Sequence, residues 1–177
     1  MSENNRQDKF LCVLAGYDDG SQVRLAAFQN SLYEAGFDGT QTKDIPMHIT
    51  VGTFPVEEEE KVRALVRSVA AGTQPFEISV SHAGMFAGSK VLFAAPDGKR
   101  ELLALREHFG ESHGWVPHTT MLIDQPETVY RALPVLMESF APFCGKITAL
   151  HLYEFFPSRH ILTVPLGQAQ SAEQEEK

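Results

Sequence analysis

Apolar residues alternate between two spacings along the chain. Residues 9–17, KFLCVLAGY, form a compact apolar run suited to a buried strand. Over 18–36 the spacing turns helical: Val23, Ala26, Ala27, Asn30 and Tyr33 share a stripe that Leu25, Phe28 and Leu32 broaden, and Gly36 supplies a stop. A loop over 37–46 leads into MHITVGTF (47–54), a strand rich in β-branched and aromatic residues that Pro55 ends. VEEEEKVRALVRSVAAG (56–72) reads as a helix whose first turns carry acids, in keeping with the helix dipole. PFEISVSHAGMF (75–86) and SKVLFAAP (89–96) pair as a hairpin across Gly88.

The pattern then restarts. DGKRELLALREHFGE (97–111) is a helix, SHGWVP (112–117) a loop and HTTMLI (118–123) a strand. QPETVYRALPVLMESFA (125–141) is helical, and Pro134 is expected to kink or split it. GKITALHLYEFFP (145–157) is a long strand, and SRHILTVPL (158–166) turns back on it. Residues 1–8 are polar and expected to fray; the tail from Gly167 is low in apolar residues and expected to be disordered. Strand, helix, strand, helix, strand thus occurs twice. The expectation is an α+β fold, one bilobal domain over 1–177 with lobes near 9–86 and 89–166. Two antiparallel sheets would face a central cleft, with helices outside.

Equivalent strands of the two halves carry the same polar pair. IPMHITVGTF (45–54) and WVPHTTMLID (115–124) each place His-x-Thr in an apolar setting shortly after a proline. Side chains alternate faces along a strand, so His48 and Thr50 point one way, as do His118 and Thr120. If the halves face each other, the cleft holds two imidazoles and two hydroxyls. That set suits a phosphodiester: hydroxyls donate to non-bridging oxygens, and an imidazole with an unperturbed pKa of about 6.5 serves as base when neutral and acid when charged. His48 and His118 are therefore the candidate catalytic pair and Thr50 and Thr120 the candidate phosphate binders. A lone histidine on a strand is ordinarily structural; the repetition is what carries the reading. No HExxH and no Cys/His cluster at zinc spacing is present, so neither a metal nor another cofactor is expected.

Composition narrows the partners. The formal net charge is −8, with 15 basic and 23 acidic residues. Tracking a long duplex calls for a basic field, so the expected partner is a nucleotide or RNA-terminal phosphate and not long duplex nucleic acid. No run reaches the ~20 apolar residues of a membrane span. With no leader-like apolar segment and two cysteines, Cys12 and Cys144, read as buried thiols, a cytoplasmic monomer is expected.

The paired motifs HITV (48–51) and HTTM (118–121) resemble those of the two-histidine phosphoesterase superfamily, the bacterial 2′-5′ RNA ligase-like and cyclic nucleotide phosphodiesterase proteins, over roughly residues 9–166. The family pattern is His-Φ-Ser/Thr-Φ with Φ apolar, and Thr119 departs from it. The resemblance implies a bilobal fold with the four motif residues in a central cleft. It implies 2′,3′-cyclic or 2′-5′-linked phosphodiester substrates, with hydrolysis and, in some members, reversible ligation. The rival reading is a nucleotide- or RNA-end-binding module with the same cleft and little turnover.

Five further residues are candidates for substrate binding. Tyr17 ends the first strand and could stack on a base, or sit at the core edge. Lys43, in the loop before the first motif, could steer a phosphate. Trp115 is either a base platform or a loop anchor. Tyr153 and Arg159 flank the last hairpin, where Arg159 could bind a terminal phosphate. Phe86 and Phe93 are read as core packing before stacking. His82, His108, His113, His151 and His160 lack the motif context and are read as structural or exposed.

Overall fold

The computed structural model describes residues 9–88 and 90–168; the expected frayed N-terminus and most of the expected disordered tail lie outside them. The chain runs β1 (Phe10–Tyr17), α1 (Asp19–Glu34), β2 (His48–Pro55), a 3-10 turn (Val56–Glu58), α2 (Glu59–Gly72), β3 (Phe76–Met85), β4 (Val91–Pro96), α3 (Arg100–Glu107), β5 (Thr119–Ile123), α4 (Pro126–Ser139), β6 (Phe143–Phe155) and β7 (Arg159–Pro165). The protein is α+β, and its strands join antiparallel. Asp18 caps α1, accepting from the Ser21 amide at 2.9 Å. α4 runs unbroken through Pro134 and does not split there. The ring deprives only the Tyr130 carbonyl of its helical donor, and Tyr130 lies on the solvent face of the helix.

The two expected sheets are one. Seven strands follow the path β2-β1-β6-β3-β4-β5, with β7 also on β6. The cause is the 13-residue length of β6. Its first residues, Phe143–Ile147, pair with β3, and Ile147–Phe155 pair with β1, so one strand serves both halves. The path is unchanged when the first three strands are exchanged for the next three. This is the arrangement a repeated unit would give. The two ends of the path, β2 and β5, approach within 8 Å, Cα to Cα.

The pairing is interrupted at matching points. Between β1 and β2 the register steps from Val13↔Gly52 to Leu14↔Thr50, leaving Val51 out. Between β4 and β5 it steps from Leu92↔Leu122 to Phe93↔Thr120, leaving Met121 out. In each half the bulge falls on the residue after the motif threonine. Bulges sharpen local twist and re-aim the side chains beside them.

Alternation on β1 divides the apolar interior. Leu11, Val13, Ala15 and Tyr17 join the main core with Leu25 and Leu32 of α1 and Leu136 of α4. Cys12 and Leu14, on the other face, form a smaller cluster with Tyr153 and Phe155. Cys12 is buried as expected, and burial pushes its thiol up to about 12; Cys144 is exposed, contrary to expectation, on the stretch of β6 whose side chains alternate outward. No helix among the described residues is long and apolar enough to cross a membrane.

Candidate active site

The two histidines are held in the same way. His48 Nδ1 lies 2.7 Å from the carbonyl oxygen of Pro46, and His118 Nδ1 lies 2.8 Å from that of Val116. In both halves the partner is the carbonyl two residues earlier. A carbonyl only accepts, so Nδ1 carries the hydrogen in each ring. The neutral ring then has its lone pair on Nε2, the atom free to exchange a proton with a ligand. Each motif thus fixes its own tautomer through the chain leading into its strand.

The strand ends that meet bring the motifs to one cavity. His48, Thr50 and Thr120 line a cavity of ≈ 180 Å³ with Phe10, Leu14, Ile45 and Phe156 among its apolar walls. Among the described residues Lys43 is its one formally charged side chain, and no carboxylate lines it, although the chain as a whole is acidic. Among the described residues, neither the Thr50 nor the Thr120 hydroxyl is engaged by another protein group. His118 does not itself line this cavity; it immediately precedes Thr119 and Thr120, which do, and its ring packs against a pair of touching aromatic rings, Phe86 at 4.9 Å edge-on and Phe93 at 5.5 Å, centroid to centroid. The two imidazoles sense each other. Burial holds His48 below the ordinary imidazole range and the charge of His118 lowers it further, against the Pro46 hydrogen bond, which raises it.

The remaining sequence candidates separate. Tyr17 does not reach the cleft. It shares the core face of β1, is 5% exposed, and its hydroxyl meets Thr119 Oγ1 at 2.7 Å. That bond also accounts for the departure at Thr119: the motif position is polar because a tyrosine from the other half is its partner. Arg159 is not free for a phosphate. Its Nη2 lies 2.7 Å from Glu59 Oε2 and 2.5 Å from Glu154 Oε2, and the two carboxylates raise its pKa. Trp115 packs against the main core with the Arg106 guanidinium 5.6 Å from its ring, the loop-anchor alternative. Tyr153 is buried beside Phe155, with His160 edge-on at 5.1 Å. Lys43 sits at the cavity, 3.7 Å from Asp38 Oδ1 and 4.8 Å from the Tyr33 ring. Phe86 and Phe93 pack together against a motif histidine and are more than core filling.

One neighbour of the site carries no sequence motif. His151 of β6 is 9% exposed and close enough to His48 for their charges to interact. Burial first, then the charges of His48 and His160, bring it down to about 4. Its ring leans over Gly16, where a Cβ would lie 2.2 Å from Nε2. Gly16 is the register partner of His48. The only sequence trace of this is parity: in ALHLYEF, His151 shares a strand face with Tyr153 and Phe155.

The profile of the 2′-5′ RNA ligase superfamily matches residues 17–155. Solved structures similar to the chain include E. coli LigT in apo form, with 17% identity, TM-score 0.59, and 90% of this chain and 98% of that one covered. E. coli LigT complexed with 3′-AMP gives 15% identity, TM-score 0.62, and coverage of 90% and 99%. TT0787 of Thermus thermophilus gives 16% identity, TM-score 0.62, and coverage of 91% and 100%. No curated protein sequence matches the chain.

Proposed function

The chain belongs to the 2′-5′ RNA ligase superfamily, and from that premise we propose that it is a metal-independent phosphodiesterase acting on a 2′,3′-cyclic phosphate or a 2′-5′ phosphodiester of a nucleotide or RNA end. The observation that carries this reading is the matched pair of imidazoles, each tied at Nδ1 to a carbonyl, beside two unengaged threonine hydroxyls at a cavity free of carboxylates. E. coli LigT, which has the same fold, has been crystallised with 3′-AMP and with phosphate; that ligand class is carried over here as part of the proposal.

In the hydrolytic direction His48 is the base, because burial and the nearby His118 favour its neutral form. Its Nε2 takes a proton from water as the water oxygen bonds to phosphorus. The bond from phosphorus to the departing sugar oxygen breaks, and that oxygen takes the Nε2 proton of charged His118. The product is a phosphomonoester and a free hydroxyl. Thr50 and Thr120 donate to the non-bridging oxygens where charge gathers. In 2′-5′ ligation a 5′-hydroxyl takes the place of water at the cyclic phosphate, and in the reverse of that step, which returns the cyclic phosphate and the 5′-hydroxyl, the two rings exchange roles. Among the described residues no group of three His, Cys, Asp or Glu side chains is placed to hold a metal ion; the charge is assigned to the imidazolium and the hydroxyls.

The test is turnover of a panel of 2′,3′-cyclic nucleotides and 2′-5′ dinucleotides in EDTA, with product regiochemistry read by ³¹P NMR. His48→Ala and His118→Ala are each expected to lower kcat by about 10²–10⁴-fold while leaving the fold intact. Unchanged turnover in both variants refutes the mechanism. Tight nucleotide binding with no product between pH 5 and 9 favours a binding module instead.

A further inference from the structure

Beyond the two motifs, a row of polar side chains crosses the sheet from the cleft to its outer edge. It starts at His48 on β2, passes over Gly16 on β1 to His151 on β6, and continues to Thr163 and His160 on β7. His151 Nδ1 lies 2.8 Å from Thr163 Oγ1, and His160 Nε2 lies 2.9 Å from the same oxygen. No fully buried side-chain polar atom among the described residues lacks a partner. His151 Nε2 has no hydrogen-bond partner among the described residues, so it is the end of the ring that reaches solvent, on the His48 side.

We propose that His151 is a third functional imidazole of this site, a substrate-binding residue whose Nε2 offers a hydrogen bond to a phosphate oxygen beside His48, with its polarity set through Thr163 by the protonation of His160. The argument is a proton count. A threonine hydroxyl has one hydrogen to give. When His160 carries both ring hydrogens, its Nε2–H donates to Thr163 Oγ1, which leaves the one hydroxyl hydrogen available to His151 Nδ1 and favours that ring as the acceptor. Neutral His151 then holds its hydrogen on Nε2 and presents a donor. When His160 is neutral with Nε2 bare, Thr163 can donate to it, His151 donates from Nδ1, and its Nε2 becomes an acceptor that repels a phosphate oxygen. Burial, and after it the charges of His48 and His160, favour the neutral form of His151. Gly16 is what permits the contact, since any side chain there would occupy the place of Nε2.

The charged and titratable groups around the relay are few. His160 meets the Tyr153 ring edge-on. Arg159, its neighbour on β7, is held by Glu59 of α2 and by Glu154, which also binds Lys9. On the cleft side the neighbour is His48. The relay is therefore left to the three histidines and Thr163.

The proposal rests on the reading of the cleft as a phosphate site, but its first test does not. The tautomer of His151 in the free protein is read by long-range ¹H–¹⁵N NMR across pH. The expected result is a shift to the Nε2–H form as His160 gains its second proton. His160→Lys, a permanent donor to Thr163, is expected to fix that form at every pH, and Thr163→Val to uncouple it from His160. A His151 that keeps its hydrogen on Nδ1 while His160 is charged overturns the relay. The second test titrates inorganic phosphate. His151→Phe, which preserves ring volume, is expected to weaken binding by about ten- to a hundredfold, the worth of one hydrogen bond to a charged group. With substrate, the loss should fall on KM and leave kcat nearly unchanged. Unaltered phosphate affinity in a folded His151→Phe protein overturns the binding role. Should the protein turn over no phosphodiester, the phosphodiesterase reading fails, while the tautomer and phosphate titrations still decide this one.

Discussion

The hydroxyl pair of Tyr17 and Thr119 should be a strong fastener between the halves of the chain. Tyr17 lies on β1 and Thr119 on β5, 102 residues apart, and their oxygens are 2.7 Å from each other in the buried interior. Tyr17 is 5% and Thr119 1% exposed. Tyr17→Phe leaves the threonine hydroxyl without a partner and without water; Thr119→Val does the same to the phenol. Each single variant is expected to lose about 1–3 kcal/mol, the cost of an orphaned buried hydroxyl. Removing both leaves two apolar groups of nearly native shape, so the double variant should be close to one single variant and not to their sum. The expected coupling is about 1–3 kcal/mol, within the range found for contacting residues. Urea denaturation of all four proteins, with the slope checked for constancy, measures it. Thr119 sits between His118 and Thr120, so the single variants should also lower kcat/KM. Additive losses in the cycle would refute the claim that this bond joins the halves.

Three further outcomes follow from the same geometry. His151 is held down to about 4 by burial, so below its ordinary value of about 6.5 the unfolded chain binds a proton that the folded chain refuses. Stability should therefore fall by about 3 kcal/mol as pH drops from ~6.5 to ~4 on this account, with His48 acting in the same direction; urea curves at pH 7 and pH 4 should show that increment missing from His151→Phe, and an equal pH loss in both proteins contradicts it. Gly16→Ala places a Cβ 2.2 Å from His151 Nε2 and should cost about 1–3 kcal/mol of overpacking, most of it recovered in the Gly16→Ala, His151→Ala double variant; failure to recover would show that the backbone, not the ring, resists the methyl. Arg159→Ala should leave phosphate affinity unchanged within about twofold, because its guanidinium is already committed to Glu59 and Glu154 and so gives a ligand little of the charge-assisted bonding a free arginine would; a large loss would return it to the site.

Much of this is legible in the chain because the pattern is written twice. Hydrophobic spacing locates every strand and helix within a few residues, and the repeated His-x-Thr places two imidazoles at equivalent positions before any coordinates. What spacing does not reveal is pairing. Whether the halves form separate sheets or one depends on how far β6 extends past its own half, and only the partners of Phe143–Ile147 decide that. Tyr17 departs from its expected role for a related reason. Alternation says that it shares a face with Leu11, Val13 and Ala15, but not which face meets the cleft. Arg159 finds its carboxylates across a turn and on a distant helix, with no local signal. His151 and Thr163 meet only through the β6–β7 register, so no short window of sequence reveals the pair.

The sheet path that begins and ends at a motif strand has a mechanical consequence. The two rims of the proposed catalytic gap are the terminal strands of a ribbon whose middle is the β6–β3 pair, so the width of the gap depends on curvature accumulated across every strand between them. A phosphate held by Thr50 and Thr120, as proposed, would act as a clasp on an open bracelet, adding to the Tyr17–Thr119 and Gln29–Met121 bonds that already tie β5 to the first half. Amides of β2 and β5 should then slow their hydrogen exchange together when ligand binds, and a substitution in the middle of β6, far from any ligand, should loosen both rims at once.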